Sequence, residues 1–389
     1  MTGSPGYPAA LLFDVNGFLS TLCHFVGQPK RRLVMPDDIA GTIRPVRVLI
    51  VDDTRANRAM IRSHLSRSPQ IDIVGEAGDA FEAREMIRKL DPDVITLDVV
   101  MPRMDGLSFL ERLMRLRPMP VVMVSSRTTE NSREAIAALS LGAVDCVDRA
   151  LLNSRDMQVD LAETVLIAAK SNVRGFAIAH SDEPGGGADR PFSWNGRVVV
   201  IGSSTGGVDA LLKVLRTFPR NCAPTVIAQH MPAAFLPSFA NRLDKCSAPK
   251  VSLARDGIVL EQGHVVVAPG GKTHVALARR NPQRLRLMPD DGSESYVPSV
   301  NVLFSSALPH GERVVGVMLT GMGRDGADAM LRMRQAGAHT IVQDGTTSVV
   351  DGMPRSAREN GAAVEVARLS DIGRRINRSV SEELEDCLL

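Results

Sequence analysis

The tightest constraint on this chain is a strand, a sharp turn and a helix written without interruption into Arg197-Val-Val-Val-Ile-Gly-Ser-Ser-Thr-Gly-Gly-Val-Asp-Ala-Leu-Leu212. Val198 to Ile201 form an unbroken apolar run, the pattern of a parallel strand buried on both faces. Gly202, Gly206 and Gly207 permit a tight turn and a close backbone approach. Leu211, Leu212 and Leu215 then put an apolar stripe on a helix. Such a turn aims small polar side chains at a helix N-terminus, where free N–H groups favour negative charge.

Two chemistries suit that turn: a phosphate cradle, or a serine nucleophile whose oxyanion is met by backbone N–H groups. The dinucleotide fingerprint needs Gly-x-Gly-x-x-Gly and an acid ending the next strand. Gly202-Ser-Ser-Thr-Gly-Gly207 has the wrong glycine spacing. The next strand, Thr225-Val-Ile-Ala-Gln229, ends in His230. That disfavours a nucleotide and supplies a base.

At 389 residues the chain has room for two or three domains. Lys and Arg total 46 against 44 for Asp and Glu, so no strong field points to nucleic acid or membrane. The five cysteines are scattered, without Cys-x-x-Cys, and indicate neither a disulfide framework nor a zinc site. No apolar run is long enough to span a bilayer, and Ala9 to Val26 is too interrupted for a signal peptide. A reducing cytoplasm is the expected compartment.

Residues 1–45 show no clear periodicity and read as an N-terminal extension. Beyond them, apolar runs alternate with helical patterns. Arg47 to Val51 ends in Asp52-Asp53, Val94 to Leu97 ends at Asp98, and Val121 to Val124 is followed by Ser125. Ile71 to Val74 and Val144 to Val147 are further strands. This alternation predicts an α/β, doubly wound parallel sheet with its site at the carboxyl ends of the strands. Three carboxylates gathered there repel one another. A hard cation such as Mg2+ is their natural partner, and a carboxylate beside it can attack a phosphoryl group.

Residues 46–170 resemble a two-component receiver domain of flavodoxin-like fold. The Asp52-Asp53 pair, Asp98 before Met101-Pro102, Met104-Asp105-Gly106 and Ser125 carry the likeness. The resemblance implies that Asp98 accepts phosphate from a histidine kinase. It implies that Asp53, Asp98 and the Val100 carbonyl hold Mg2+, and that Ser125 binds the phosphoryl group, with Asp52 and Arg149 completing the pocket. The family's aromatic and Lys-Pro are replaced by Cys146, Arg149 and Ala150. Arg149 can meet a phosphoryl oxygen, though its fork differs from an ammonium. Cys146 is too small for an aromatic switch.

Residues 171–195 contain Ser181-Asp-Glu-Pro-Gly-Gly-Gly-Ala and read as a flexible linker. Residues 196–389 then predict a second doubly wound parallel sheet, Rossmann-like, with a small antiparallel pair at Val275–Leu277 and Leu285–Leu287. Its strand-end turns present Ser203-Ser204-Thr205, His230 and, in Thr320-Gly-Met-Gly-Arg-Asp325, an aspartate. Alone, Ser204 would be an N-cap, His230 a structural histidine and Asp325 a helix cap. Together at one sheet edge they form the constellation for acyl transfer. The glycines flanking Met322 leave its N–H free for an oxyanion. The other histidines lack metal spacing, and His274 is expected at the crevice rim.

This second half resembles the catalytic domain of the chemotaxis protein-glutamate methylesterase/glutamine deamidase (CheB) family. The matching words include Gly202-Ser-Ser-Thr-Gly-Gly207, Gln229-His-Met-Pro232, Ala268-Pro-Gly-Gly271 and Leu319-Thr-Gly-Met-Gly-Arg-Asp-Gly326. Asn301, Gly345 and Asp351 depart from the family pattern. The resemblance implies Ser204 as nucleophile, His230 as base and Asp325 as orienting acid, with Thr205 and Met322 at the oxyanion and substrate. It implies chemoreceptor glutamyl methyl esters and glutamines as substrates, a chemotaxis histidine kinase as phosphodonor, and no cofactor for the ester reaction. An unphosphorylated receiver is expected to cover the crevice. The competing reading is a scaffold with a degenerate catalytic domain, against which the intact Ser204, His230 and Asp325 argue. Nucleic-acid binding lacks a basic helix.

Overall fold

The computed structural model describes residues 44–101, 104–125, 129–152, 160–171, 173 and 192–382. The expected N-terminal extension, the Pro102-Arg103 part of the acidic turn and the glycine-rich linker lie outside the described residues, apart from a few positions at their edges.

The first sheet is built from β1 (Val46–Val51), β2 (Ile71–Ala77), β3 (Val94–Leu97), β4 (Val121–Ser125) and β5 (Asp145–Asp148). Between and after them come α1 (Arg55–Leu65), α2 (Ala80–Leu90), α3 (Gly106–Leu116), α4 (Thr129–Ser140), α5 (Arg149–Leu152) and α6 (Leu161–Ala169). All strands are parallel in the order β2-β1-β3-β4-β5. β3 and β4 are buried at every position and apolar but for Thr96 and Ser125, the pattern of strands covered on both faces. Asp79 and Asp105 cap α2 and α3 by accepting from backbone N–H groups. The chain reverses its winding between β1 and β3. The crevice at that switch point receives Asp52 and Asp53 from one strand and Asp98 from the other.

The second sheet uses β6 (Val198–Ser203), β7 (Thr225–Gln229), β8 (Lys250–Leu253), β9 (His264–Val267), β12 (Val314–Met318), β13 (His339–Gln343) and β14 (Glu365–Ala367). Its helices are α7 (Gly207–Leu215), α8 (Leu236–Cys246), α9 (Val300–Ala307), α10 (Ala327–Gln335), α11 (Met353–Glu359) and α12 (Leu369–Val380). The order is β14-β13-β12-β6-β7-β9-β8, parallel throughout. The antiparallel pair β10 (Thr273–Ala278) and β11 (Asn281–Pro289) forms a separate hairpin. β8 and β14 escape the sequence pattern for a physical reason: both are short, half-covered edge strands without a continuous apolar run. Here the switch point falls between β6 and β12, with β7 beside β6. The turns after β6, β7 and β12 therefore share one edge.

The two sheets belong to one compact unit, Arg44–Leu389. Helix α4 of the first packs on α7 and α8 of the second. Ile136 and Leu139 join an apolar cluster that continues into Val208 and Phe235. Burial of such side chains contributes roughly 1.5–3 kcal/mol each, so the contact is a hydrophobic interface rather than a loose touch.

Candidate active site and acidic pocket

The turn after β6 is fixed by a side chain from the next strand. Ser203 Oγ donates to Gln229 Oε1 at 2.6 Å, while Gln229 Nε2 donates to the carbonyls of Ser204 (2.9 Å) and His230 (3.0 Å). Gln229 is thus a strut between the serine turn and the histidine turn. Gly207 makes room for it: a Cβ there would stand 2.1 Å from Gln229 Oε1. Gly206 has φ +79°, a left-handed conformation that favours glycine. Ser204 is held by its backbone, its N–H donating to Thr320 O at 3.0 Å. Its side chain is left to the crevice.

The histidine and the aspartate meet. His230 Nε2 lies 2.7 Å from Asp325 Oδ2. An ionised carboxylate only accepts, so Nε2 carries the hydrogen and Nδ1 holds the lone pair. Nδ1 is buried and has no hydrogen-bond partner among the described residues. It is the nitrogen available to take a proton from Ser204, with which His230 shares the crevice wall.

Asp325 sits on the N-terminus of α9. Val300 N–H donates to Oδ2 (2.8 Å) and Asn301 N–H to Oδ1 (3.0 Å), while the Ser299 hydroxyl lies between Oδ1 (3.3 Å) and Glu294 (3.0 Å) with one hydrogen for the two. Burial pushes the carboxyl upward, but the His230 hydrogen bond and charge and these N–H groups outweigh it and hold the carboxyl below its ordinary value. The helix dipole adds in the same direction. Asn301, read from sequence only as a departure, therefore contributes its backbone to the acid's cradle. Its side chain donates to Glu294 at 2.8 Å.

Gly321 explains how the Met322 turn comes close to Ser204. A Cβ on Gly321 would fall 2.7 Å from Ser204 Cβ, so only glycine lets the two turns approach this closely. The Met322 N–H has no backbone acceptor among the described residues, and Met322 lines the same crevice as Ser204 and His230. His274, expected at the rim, is instead buried behind the cradle, because its ring is pinned on both sides. Nδ1 accepts from Ser299 N–H at 3.0 Å and Nε2 pairs with Asp290 at 3.3 Å. The other two departures form one feature. Gly345 leaves space for the Asp351 carboxylate, which Arg358 grips with two bonds of 3.0 and 2.7 Å.

Sequence reasoning missed the group that closes the crevice from the other sheet. Asp145, at the start of β5, accepts from Thr205 Oγ1 at 2.7 Å. Burial raises the Asp145 carboxyl, against the opposing hydrogen bonds of Thr205 and Cys146 N–H and the His230 charge. Asp145 and Cys146 wall the crevice together with Ser204, Thr205 and His230. No sequence signal marks such a contact. Gln229 was in view as the neighbour of His230, but its role depends on the register of β6 with β7.

The acidic pocket assembles as the strand ends predict. Oxygens of Asp52, Asp53 and Asp98 lie within 4.8 Å of one another. Arg149 Nη2 enters it, 2.7 Å from Asp98 Oδ1, 3.2 Å from Asp52 Oδ2 and 3.1 Å from Val124 O. Burial, opposed by Arg149 and reinforced by Asp52, lifts the Asp98 carboxyl to about 6. Burial likewise raises Asp52. Ser125 is buried at the end of β4. Val100, expected to offer its carbonyl, follows on the loop after β3 with its side chain exposed. This donor set, hard oxygens with surplus negative charge, fits a divalent cation of the Mg2+ kind. Cys146 is buried in β5, where burial raises its thiol far above the ordinary range and leaves it a small apolar group.

Comparisons with known proteins match two separate stretches of the chain. Residues 48–162 match the response regulator receiver domain family and residues 199–376 the CheB methylesterase family. Protein-glutamate methylesterase/protein-glutamine glutaminase 1 of Caulobacter vibrioides is 51% identical over 85% of this chain and 97% of its own length. The Agrobacterium fabrum protein of that description is 47% identical over 85% of this chain and 95% of its own. Among solved structures, the Thermotoga maritima CheB methylesterase catalytic domain is 36% identical, with TM-score 0.46, covering 48% of this chain and all of that one. No helix among the described residues is long and apolar enough to cross a membrane.

Proposed function

The chain belongs to the CheB methylesterase family, and from that premise we propose that it is a phosphorylation-controlled hydrolase that demethylates and deamidates chemoreceptors through Ser204, His230 and Asp325. The observation that carries the triad is the His230–Asp325 bond, with the ring's other nitrogen buried and, among the described residues, unpartnered in the crevice that Ser204 lines. Ser204 Oγ attacks the ester carbonyl of a glutamyl side chain while His230 Nδ1 takes its proton. The carbonyl oxygen becomes an oxyanion received by the Met322 N–H. His230 returns the proton to the departing methoxide, and methanol leaves. A water, deprotonated by the same nitrogen, then splits the acyl-enzyme to glutamate and restores Ser204. With glutamine the leaving group takes the proton as ammonia. On this reading residues 46–170 are the receiver domain and 196–389 the catalytic domain, and a cytoplasmic location follows from the cytoplasmic receptor helices as substrate.

Asp98 is the phosphoacceptor, and a chemotaxis histidine kinase is the donor. Asp53, Asp98 and the Val100 carbonyl would hold Mg2+, which when bound offsets the charge of the incoming phosphoryl group. Ser125 and Arg149 bind the transferred group from the protein side, Arg149 leaving its present contact on Asp98 to do so. Asp98→Asn removes the nucleophilic oxygen, so labelling by a small phosphodonor should fall to background in that variant. Uptake equal to the parent's would put the phosphate elsewhere.

The receiver's hold on the crevice runs through Asp145 and the α4 interface. Phosphorylation shifts the population toward an arrangement in which that hold is released. Asp145→Ala deletes the hydrogen bond to Thr205. A bond of this kind contributes about 0.5–1.5 kcal/mol, so basal methanol release without phosphodonor should rise roughly 2–10-fold while the fully activated rate stays near the parent's. An unchanged basal rate would mean that the apolar contact of α4 alone closes the crevice.

A further inference from the structure

One aromatic ring touches the histidine and has no part in the chemistry above. Tyr296 stacks on the His230 imidazole with centroids 4.2 Å apart and planes 10° from parallel. It rides on the loop between β11 and α9. That loop is tied down along its length: Asp290 to His274, Ser299 N–H to the same histidine, Ser299 Oγ to Glu294 (3.0 Å), and Glu294 to Asn301. The ring is therefore presented by a fixed segment rather than by a free loop. His230 needs such a support. The imidazole's only hydrogen bond among the described residues is Nε2 on Asp325, and one such bond leaves the ring free to tilt about that axis. A tilt carries Nδ1, on the far side of the ring, off the line to Ser204. An aromatic face against the ring removes that freedom. It also favours the imidazolium that forms as Ser204 loses its proton, because a cation is attracted to the π-face.

Resting on the esterase reading above, we propose that Tyr296 is a positioning residue for His230, its ring face setting the plane in which Nδ1 meets the serine. The hydroxyl has no share in this.

The test compares Tyr296→Leu, which keeps bulk without a π-face, and Tyr296→Phe, which keeps the face without the hydroxyl, in the full chain activated by a small phosphodonor. Methanol release is measured for kcat and KM. The rate at which a serine-directed fluorophosphonate inactivates each protein is measured alongside, since it reports Ser204 reactivity with little demand on receptor binding. Tyr296→Leu is expected to lose about 3–30-fold in kcat with KM within about twofold, and to lose inactivation rate in parallel. Tyr296→Phe is expected to recover both. A Leu variant with raised KM and parental kcat would make Tyr296 a substrate contact and overturn the proposal. So would a Leu variant like the parent, or a Phe variant as slow as Leu. Ser204→Ala in the same series keeps the two readings apart. Methanol release and labelling that survive that change would fail the triad itself, whatever the Tyr296 variants do.

Discussion

Methanol release from methyl-esterified receptor membranes is expected to fall by about 10^4–10^6-fold in Ser204→Ala, to the level that oxyanion and binding groups sustain without a nucleophile. The fold should be untouched. Ser204 serves its turn through its N–H on Thr320 and its carbonyl on Gln229, both of which alanine retains. Circular dichroism and the thermal midpoint would therefore match the parent while turnover disappears. A variant that still turned over would transfer the nucleophile's role, with Thr205 the adjacent hydroxyl. No turnover by the parent, even with phosphodonor, would favour a scaffold.

Asp325→Asn is expected to lower kcat by roughly 10^3–10^4-fold with little change in KM. The reason lies in the count of donors. Oδ2 receives His230 Nε2 and Val300 N–H, and Oδ1 receives Asn301 N–H. An amide has one oxygen and one NH2, so one side of the cradle must face a donor with a donor. If the NH2 turns toward His230, Nε2 must accept and the hydrogen moves to Nδ1, which can then no longer take the serine proton. If it turns toward α9, the Asn301 N–H is stranded, at a cost of about 1–3 kcal/mol. Either choice impairs the site, and the first stops it. Steady-state kinetics of the variant decide the matter: a loss under tenfold would mean that Asp325 does not set the tautomer.

Much of this architecture was legible in the order of residue types. Val198 to Ile201 and Val121 to Val124 are apolar at every position, and Val94 to Leu97 at all but Thr96, because strands buried on both faces favour continuous apolar runs. Acids and small polar residues at their ends then fall at the carboxyl edge, where the topology gathers them. The short edge strands β8 and β14 were not legible, since half-covered strands carry no such run.

The sequence by itself determined the two parallel sheets, the acidic trio and the serine, histidine and aspartate, because local periodicity and glycine spacing fix elements and their turns. Only the tertiary structure decided which nitrogen of His230 faces Asp325, that α9 cradles that acid, that Gln229 braces the serine turn, that His274 lies behind the site rather than at its rim, and that Tyr296 and Asp145 reach it at all. These contacts join residues far apart along the chain, 95 positions for His230 and Asp325 and 60 for Asp145 and Thr205. They depend on register and packing to within ångströms, which no local pattern of residues encodes.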